Sequence, residues 1–562
     1  MHDYRDFHHY DTWVHACDTT SDEDRALIRN DIAQLAERPA FSIVLSPPVG
    51  EGDWAARLIE SLVAQLYPHW QAWIPGRALP SGASDPRLHV IPDEADWLGA
   101  GLDAAAGRLV LPLPADAVLS ERALYQLAVA FNQDSQALIF FGDEDQLDAA
   151  GRRCRPRLKT AWDPDLILGR NAIGTPVAYD RAYLAAVHAA CDDRAGLTEY
   201  DLALRATAGA PPNRIRHISA ILCHRRLDPD APPVWDPQRA RDIVRRHLDA
   251  IGDAAEVAPA PLAPQWNRII RPLPEPAPLV SILMPTRDRA DLLARAADAV
   301  LARTDYPALE LLIIDNGGSE PEALALLRRL GDDPRVRILA TPGPFNFAAM
   351  NNAAAQVARG ELLVLLNNDI DAPDRGWLRE MVSHAVRPDV GIVGARLLYD
   401  DGRVQHAGVV FDQDGEVIHQ LRLSGATDPG PDGELALTRT VSAVTGACLC
   451  LRRSVFFEIG QLDERNLAVN FNDIDLCLRA GDFGYRVVVT PFAGLIHYES
   501  ASRDPGAAAA QDAYRRERRW FQAEWGDLLA NDPFRNPNLV YGWTETRMAS
   551  RRPAWATWAD GA

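Results

Sequence analysis

Lysine is nearly absent: Lys159 is the one lysine among 58 basic residues, the others being arginines. That bias alone carries no functional signal. Positive charge is also outnumbered, with 78 acidic residues and a net charge of −20. A nucleic-acid partner is therefore excluded, because backbone binding needs clustered positive charge. No apolar run approaches the roughly 18 residues of a membrane span, and the opening "MHDYRDFHHYDTW" is too polar for a signal peptide. The seven cysteines (17, 154, 191, 223, 448, 450 and 477) are scattered without zinc-ligand spacing, and Cys448 and Cys450 alternate as in a strand. Reduced thiols in a cytoplasmic protein are the expectation.

What is present is globular: 47% apolar and 24% charged residues over 562 positions, enough for two to four domains at about 150 residues each. A Pro/Ala-rich segment, "EVAPAPLAPQWNRIIRPLPEPAP" from 256, reads as a stiff linker between two halves. Each half opens on a β-branched run, "FSIVL" (41–45) or "VSILM" (280–284), followed by a helical pattern and a Tyr-Pro pair, Tyr67-Pro68 or Tyr306-Pro307. "GRLVLPLPAD" (107–116) has the spacing of "GELLVLLNND" (360–369), and "LTEYDLALRA" (197–206) that of "FNDIDLCLRA" (471–480). Runs ending at His224 and His497 complete the parallel. Alternating strand and helix patterns predict parallel α/β units, and the shared order predicts an internal duplication of a domain of about 230 residues.

The second half concentrates the chemistry. Thr286, Asp288 and Asp315 follow two buried runs, so in an open α/β sheet they share the crevice beyond the strand ends, where ligands bind. An Asp there can accept from a base N–H or a ribose hydroxyl, although Asp-Asn-Gly-Gly is also turn chemistry. No G-x-G-x-x-G follows the first strand, which weakens a dinucleotide reading. "ELLVLLNNDIDAP" (361–373) ends in Asn367, Asn368, Asp369 and Asp371, hard oxygen ligands suited to Mg²⁺ or Mn²⁺ carrying phosphates. His497 closes another strand-like run and could complete that shell. Asp473 and Asp475 stand at the start of a helical pattern, where capping is the ordinary role of an acid.

Together "VSILMPTRDR", "LLIIDNGG", "FNFAAMNNAAAQVARGELLVLLNNDID", "VQHAGVVF", "VSAVTGACLCLRR", "NFNDIDLCLRAGDFGYRV" and "DPFRNPNL" resemble an inverting family 2 glycosyltransferase, in the rhamnosyltransferase-like or O-antigen branch. The resemblance implies two tandem GT-A-like (nucleotide-diphospho-sugar transferase) α/β domains with mostly parallel central sheets. It implies Asp473 as catalytic base and Asp315 at the nucleotide, in a donor site with Pro285, Thr286, Arg287, Asp288, Asn351 and Asn368. It implies Asp369 as the metal carboxylate of a D-x-D motif and His497 as a metal ligand. Asn367 stands where the fuller motif has its first acid, so Asp371 or water fills that place. A sugar hydroxyl attacking an anomeric carbon needs a base on one face and neutralisation of the departing diphosphate on the other. One base and one metal, without two carboxylates flanking the sugar bond, argue against a glycoside hydrolase. The implied donor is a UDP- or dTDP-sugar and the acceptor a glycan or lipid-linked oligosaccharide. A non-catalytic glycan-binding scaffold and a bifunctional enzyme are the alternatives.

In the first half the Tyr-Pro alignment sets Gly76 at Asp315 and Ser46-Pro47-Pro48 at Pro285-Thr286-Arg287. Asp116 matches Asp369, His224 matches His497, Val118 faces Asp371 and Glu199 faces Asp473, so this half reads as a degenerate transferase. Asp143-Glu144-Asp145 reads as a solvated loop, with a second ligand cluster as the alternative. The expected organisation is a helical segment over 1–40, the degenerate domain over 41–250, the linker over 251–278, the catalytic domain over 279–502 and a helical extension over 503–562. That extension carries an amphipathic helix with Trp520, Phe521 and Trp525, expected to dock on the catalytic domain, with peripheral contact to the inner membrane as the alternative.

Overall fold

The computed structural model describes residues 10–47, 54–79, 84–93, 96–191, 197–227, 236–412, 414–498, 508–542 and 546–549. The chain divides into two compact units: Met1–Asp253 with Asn536–Val540 and Arg547–Ala562, and Ala254–Arg535 with Tyr541–Thr546.

In the first unit, two helices, Tyr10–Cys17 and Asp22–Gln34, precede the sheet. Its strands are β1 (Phe41–Leu45), β2 (Trp70–Pro75), β3 (Leu88–Ile91), β4 (Leu109–Leu113), β5 (Ala117–Leu119), β6 (Ile139–Leu147), β7 (Arg153–Arg157), β8 (Val177–Asp180) and β9 (Ile215–Arg226). They lie in the order β3-β2-β1-β4-β8-β6-β9-β5, with β7 beside β6. The runs of β1 and β4 are buried on both faces, as strands covered by helices must be.

The second unit contributes β10 (Glu256–Ala260), β11 (Ala263–Ile270), β12 (Val280–Thr286), β13 (Leu309–Asp315), β14 (Val336–Ala340), β15 (Leu362–Leu366), β16 (Ile370–Asp371), β17 (Val390–Leu398), β18 (Val404–His406), β19 (Val409–Phe411), β20 (Val417–His419), β21 (Arg439–Thr440), β22 (Cys448–Arg452) and β23 (Arg486–His497). Its main sheet runs β14-β13-β12-β15-β22-β17-β23-β16. Strand for strand this repeats the first unit, including the antiparallel strand (β8 or β22) between the parallel half and the rest.

The duplication extends to single bonds. Tyr67 donates its hydroxyl to Pro39 O at 2.9 Å, and Tyr306 donates to Pro278 O at 2.8 Å. Gly107 N donates to Ser42 Oγ at 2.9 Å, and Gly360 N to Ser281 Oγ at 2.8 Å. Both glycines are required by proximity: a Cβ would lie 2.6 Å from Ala40 O at Gly107 and 2.5 Å from Ser281 N at Gly360.

Two expectations change. The Pro/Ala-rich segment is not an extended linker, because β10 and β11 pair as an antiparallel hairpin with Val257, Ala260 and Ala263 buried. Its prolines are tolerated because each strand pairs only with the other, so a missing N–H breaks no central ladder. Arg268 of the hairpin reaches Glu380 at 3.0 Å, and the second unit begins at 254. Asp143, Glu144 and Asp145 are not a solvated loop; they are buried within β6. Each has partners: His217 and Lys159 N for Asp143 (2.8 and 2.7 Å), Arg157 for Glu144 (2.8 Å), and Arg153, Tyr10 and His224 for Asp145 (2.6, 2.6 and 2.5 Å). Lys159, the lone lysine, is 3% exposed at its side chain and donates Nζ to Gly142 O and Ile173 O at 2.5 and 2.8 Å. The carboxylates share these buried cations, which is why an acidic run can enter a strand. The expected docking of the C-terminal helix is observed: Ala508–Ala530 packs within the second unit with Phe521 and Trp525 buried. Those two rings are thus spent on protein, not on a bilayer. No helix among the described residues is long and apolar enough to cross a membrane.

Gly360→Ala is expected to destabilise the second unit by about 1–3 kcal/mol, the usual range for overpacking, and Gly107→Ala the first. Hydrogen–deuterium exchange read by peptide should accelerate over β12 and β15 in the former and over β1 and β4 in the latter.

Candidate active site

β12 and β13 stay in register to their last residues, which sets Thr286 beside Asp315. Thr286 Oγ1 accepts from Asn368 Nδ2 at 2.9 Å, so three strand ends meet at the carboxyl edge of the sheet. Asp315 uses Oδ1 to accept from Gly318 N at 2.9 Å, which leaves its other oxygen for a ligand. Asp288 Oδ1 accepts from Glu320 N and Ser319 N at 2.8 and 2.6 Å, and these amides hold its carboxyl below the ordinary value. A Cβ on Gly318 would stand 3.2 Å from both Asp288 Oδ1 and Asp315 Oδ1. Asp288 and Arg289 both adopt left-handed backbone, φ 54° and 51°, uncommon for such residues and frequent where ligands bind. Pro285 is buried in β12 and Arg287 is exposed beyond it. Asn351 is 0% exposed within the helix Phe347–Val357, donates Nδ2 to Phe347 O at 2.8 Å, and its Oδ1 has no hydrogen-bond partner.

Three residues past the end of β15, Asp369 meets His497 at the end of β23. Asp369 Oδ1 and His497 Nε2 are 3.1 Å apart, yet Asp369 Oδ1 is buried without a hydrogen-bond partner. His497 Nδ1 donates to Gln405 Oε1 at 2.7 Å, and in the tautomer that carries its hydrogen on Nδ1 the Nε2 lone pair faces Asp369. Asn367 Nδ2 approaches the same nitrogen at 3.4 Å. A carboxylate oxygen with no donor and an imidazole lone pair aimed at one place fit a divalent cation. Asp371 does not join them. Ile370 pairs with His497 and Asp371 with Ile496, so Asp371 falls on the opposite pleat and binds Arg303 Nη2 at 2.5 Å. Among the described residues no three His, Cys, Asp or Glu side chains group to hold a metal ion.

Asp473 lies in the first turn of the helix Asn472–Asp482. Its Oδ2 accepts from Gly446 N at 2.6 Å and its Oδ1 from Ile474 N at 2.9 Å. Desolvation nevertheless pushes its carboxyl above the ordinary value, against those amides. The turn at 445–447 joins it to the metal-type pair, since Asn367 N donates to Ala447 O at 3.0 Å next to the Gly446–Asp473 bond. His406 supports the turn, accepting from Thr445 N at 3.4 Å and Gly408 N at 3.3 Å through Nε2. Burial holds His406 well below its ordinary pKa, so it is neutral and can accept.

The helix Ala508–Ala530 fixes the approach to Asp473. Phe471, at φ 62°, stacks on Phe521 with centroids 5.1 Å apart. Glu517 accepts from Asn470 N and Nδ2, each at 2.7 Å. Asp475 accepts from Trp525 Nε1 at 3.0 Å and binds Arg479 at 2.7 Å, so this second acid is a support. Gln405, Thr445 and Gly446 lie inside quoted motifs that gave them no individual role, and Glu517 carries no recognisable signal in the sequence.

In the first unit the strand registers correct one correspondence. Ile370 pairs with His497, whereas the matching Ala117 pairs with Arg225; His224 pairs with Val118 and turns to Asp145. Arg225, not His224, therefore occupies the position of His497. Gly76 follows directly after β2, as Asp315 ends β13. Ser46 and Pro47 follow β1, while Pro48 lies outside the described residues.

The sheet edge of this α/β unit thus gathers Asp315, the Asp369–His497 pair and the helix-start carboxylate Asp473. Residues 281–460 match glycosyl transferase family 2, and 371–558 match glycosyl transferase family group 2. The matched part of the second unit is a family 2 glycosyltransferase domain, and the chain carries two α/β domains of one topology. The uncharacterised protein y4gI of Sinorhizobium fredii is 35% identical over 535 residues, 91% of this chain and 58% of its own length. The O-antigen biosynthesis protein RfbC of Myxococcus xanthus is 35% identical over 536 residues, 91% of this chain and 41% of its own. The chain thus spans about half the length of these relatives. An N-acetylglucosaminyl-diphospho-decaprenol L-rhamnosyltransferase of Mycobacterium tuberculosis is 29% identical over 238 residues, 37% of this chain and 72% of its own.

Trp525→Phe keeps the ring but removes the donor to buried Asp475, and is expected to cost about 1–3 kcal/mol, the penalty for stranding a buried acceptor. Thermal unfolding checks this, with Trp520→Phe as the control.

Proposed function

We propose that the second unit is an inverting, metal-dependent transferase that moves a sugar from a nucleoside diphosphate donor to a glycan hydroxyl during assembly of a bacterial surface polysaccharide. The observation that carries this reading is the unpartnered Asp369 Oδ1 facing the His497 lone pair, one backbone turn from Asp473. Asp369 and His497 would hold Mg²⁺ or Mn²⁺; when bound, the ion neutralises charge on the departing diphosphate. Asp315 and Thr286 orient the nucleoside, in a UDP- or dTDP-sugar. Asp473 takes the proton from the attacking acceptor hydroxyl, and its raised pKa makes it a stronger base than an ordinary aspartate. Attack from the Asp473 side on a donor held from the diphosphate side inverts the anomeric centre. The acceptor is a glycan or lipid-linked oligosaccharide, in keeping with the names of the Myxococcus and Mycobacterium relatives.

Asp473→Asn is expected to lower kcat by about 10²–10⁴-fold with donor affinity retained, measured by nucleotide release and donor calorimetry; unchanged turnover refutes the role. Because the base works only ionised, activity is present above its pKa and lost as pH falls through it. The acidic limb of the pH–rate profile is thus expected above the ordinary aspartate value, and a limb at or below that value contradicts the environment described. Asp369→Ala and His497→Ala should each raise the Mn²⁺ concentration needed for half-maximal rate, whereas a purely structural His497 would lower thermal stability and leave that concentration unchanged.

A further inference from the structure

In the first unit the strand-end carboxylate already has a cation. Arg225 Nη2 lies 3.1 Å from Asp116 Oδ1, the same separation as His497 Nε2 from Asp369 Oδ1. Arg225 Nη1 reaches Glu199 Oε2 at 3.3 Å and Thr175 Oγ1 at 3.0 Å, and Thr175 Oγ1 donates to Glu199 Oε2 at 2.9 Å. Glu199 holds the place of Asp473, so one guanidinium joins the counterparts of the metal carboxylate and the base. Backbone register, independent of any alignment of side chains, puts it there.

We propose that Arg225 is a built-in replacement for the divalent ion, which makes the first unit's strand-end site metal-free and closed to nucleoside diphosphates. Charge bears on the second half of that statement. Counted over matching residues, a divalent ion with Asp369 and Asp473 leaves a net charge of about 0 facing a diphosphate, whereas Arg225 with Asp116 and Glu199 leaves about −1, less favourable to the same anion. Gly76 in place of Asp315 removes the nucleoside contact as well. The chain then has one donor site, and the bifunctional alternative loses its second.

The substitution is also reversible in principle. Gln146 stands beside Arg225 in the parallel pairing of β6 and β9, and its Oε1 is buried with no hydrogen-bond partner. In the second unit a glutamine oxygen, Gln405 Oε1, accepts from the His497 ring. A histidine at 225 would find the same kind of acceptor.

The comparison rests on the reading of Asp369 and His497 given above, so the test is made on the full chain carrying Asp369→Asn, where the first unit is read alone. Mn²⁺ binding is followed by electron paramagnetic resonance of the free ion. The Asp369→Asn chain is expected to bind no Mn²⁺ that depends on Asp116, so adding Asp116→Asn changes nothing. Adding Arg225→His is expected to gain one equivalent of Mn²⁺, lost again on adding Asp116→Asn. Mn²⁺ uptake by the Asp369→Asn chain that disappears with Asp116→Asn would overturn the proposal. So would a folded Arg225→His chain that gains none. If Arg225→His fails to fold, the Asp116 comparison still decides.

Discussion

A carboxylate set at the end of a buried strand must meet positive charge, and both halves of this chain are arranged around that requirement. An ion left unpaired inside a protein costs several kcal/mol. The first unit answers with its own side chains: Arg225 between Asp116 and Glu199, and Lys159, Arg153 and Arg157 against the acids of β6. The second unit leaves Asp369 Oδ1 without a hydrogen-bond donor and sets an imidazole lone pair beside it. Two copies of one fold thus differ in whether the balancing charge is covalently part of the chain, and in the proposed reading that difference separates a catalytic copy from a silent one.

Repetition was the most legible feature of the sequence. Gly107 and Gly360, the two Tyr-Pro pairs and the two short helices were found by spacing, and spacing survives because each marks a fixed backbone event: a close strand approach, a hydroxyl returning to the preceding loop, a helix start. Thr286 and Asp315 were placeable for the same reason, since a parallel pair in register delivers its last residues together. The His224 correspondence failed because β9 and β23 are bulged differently. β23 jumps from Thr490 to Gly494 against one step of β17, and β9 from Ile218 to Ile221 and on to Cys223 against two steps of β6. Bulges insert residues without a compositional mark, so counting from the end of an apolar run lands one residue off.

Burial was harder to read than order. Asp143-Glu144-Asp145 looked solvated because charge density is a property of neighbours along the chain, whereas its partners, Lys159, Arg157, His217 and His224, are distant in sequence. The same holds for the helix Ala508–Ala530. Its aromatic face was visible, but that Phe521 would stack on Phe471 and Glu517 would cap Asn470 depends on a loop some forty residues upstream. Through those contacts a segment without a reacting group sets where the Asp473 carboxylate stands.

The buried position of Lys159 has a practical side. No other lysine exists in the chain, and this one is enclosed by carbonyl oxygens and Glu144 in the first unit. Reagents that acylate ε-amines therefore find no lysine target on the native protein, and modification at that single position records an opening of the first unit alone. The chain carries a one-residue chemical reporter of the integrity of its first unit, installed by composition and silent until that unit comes apart.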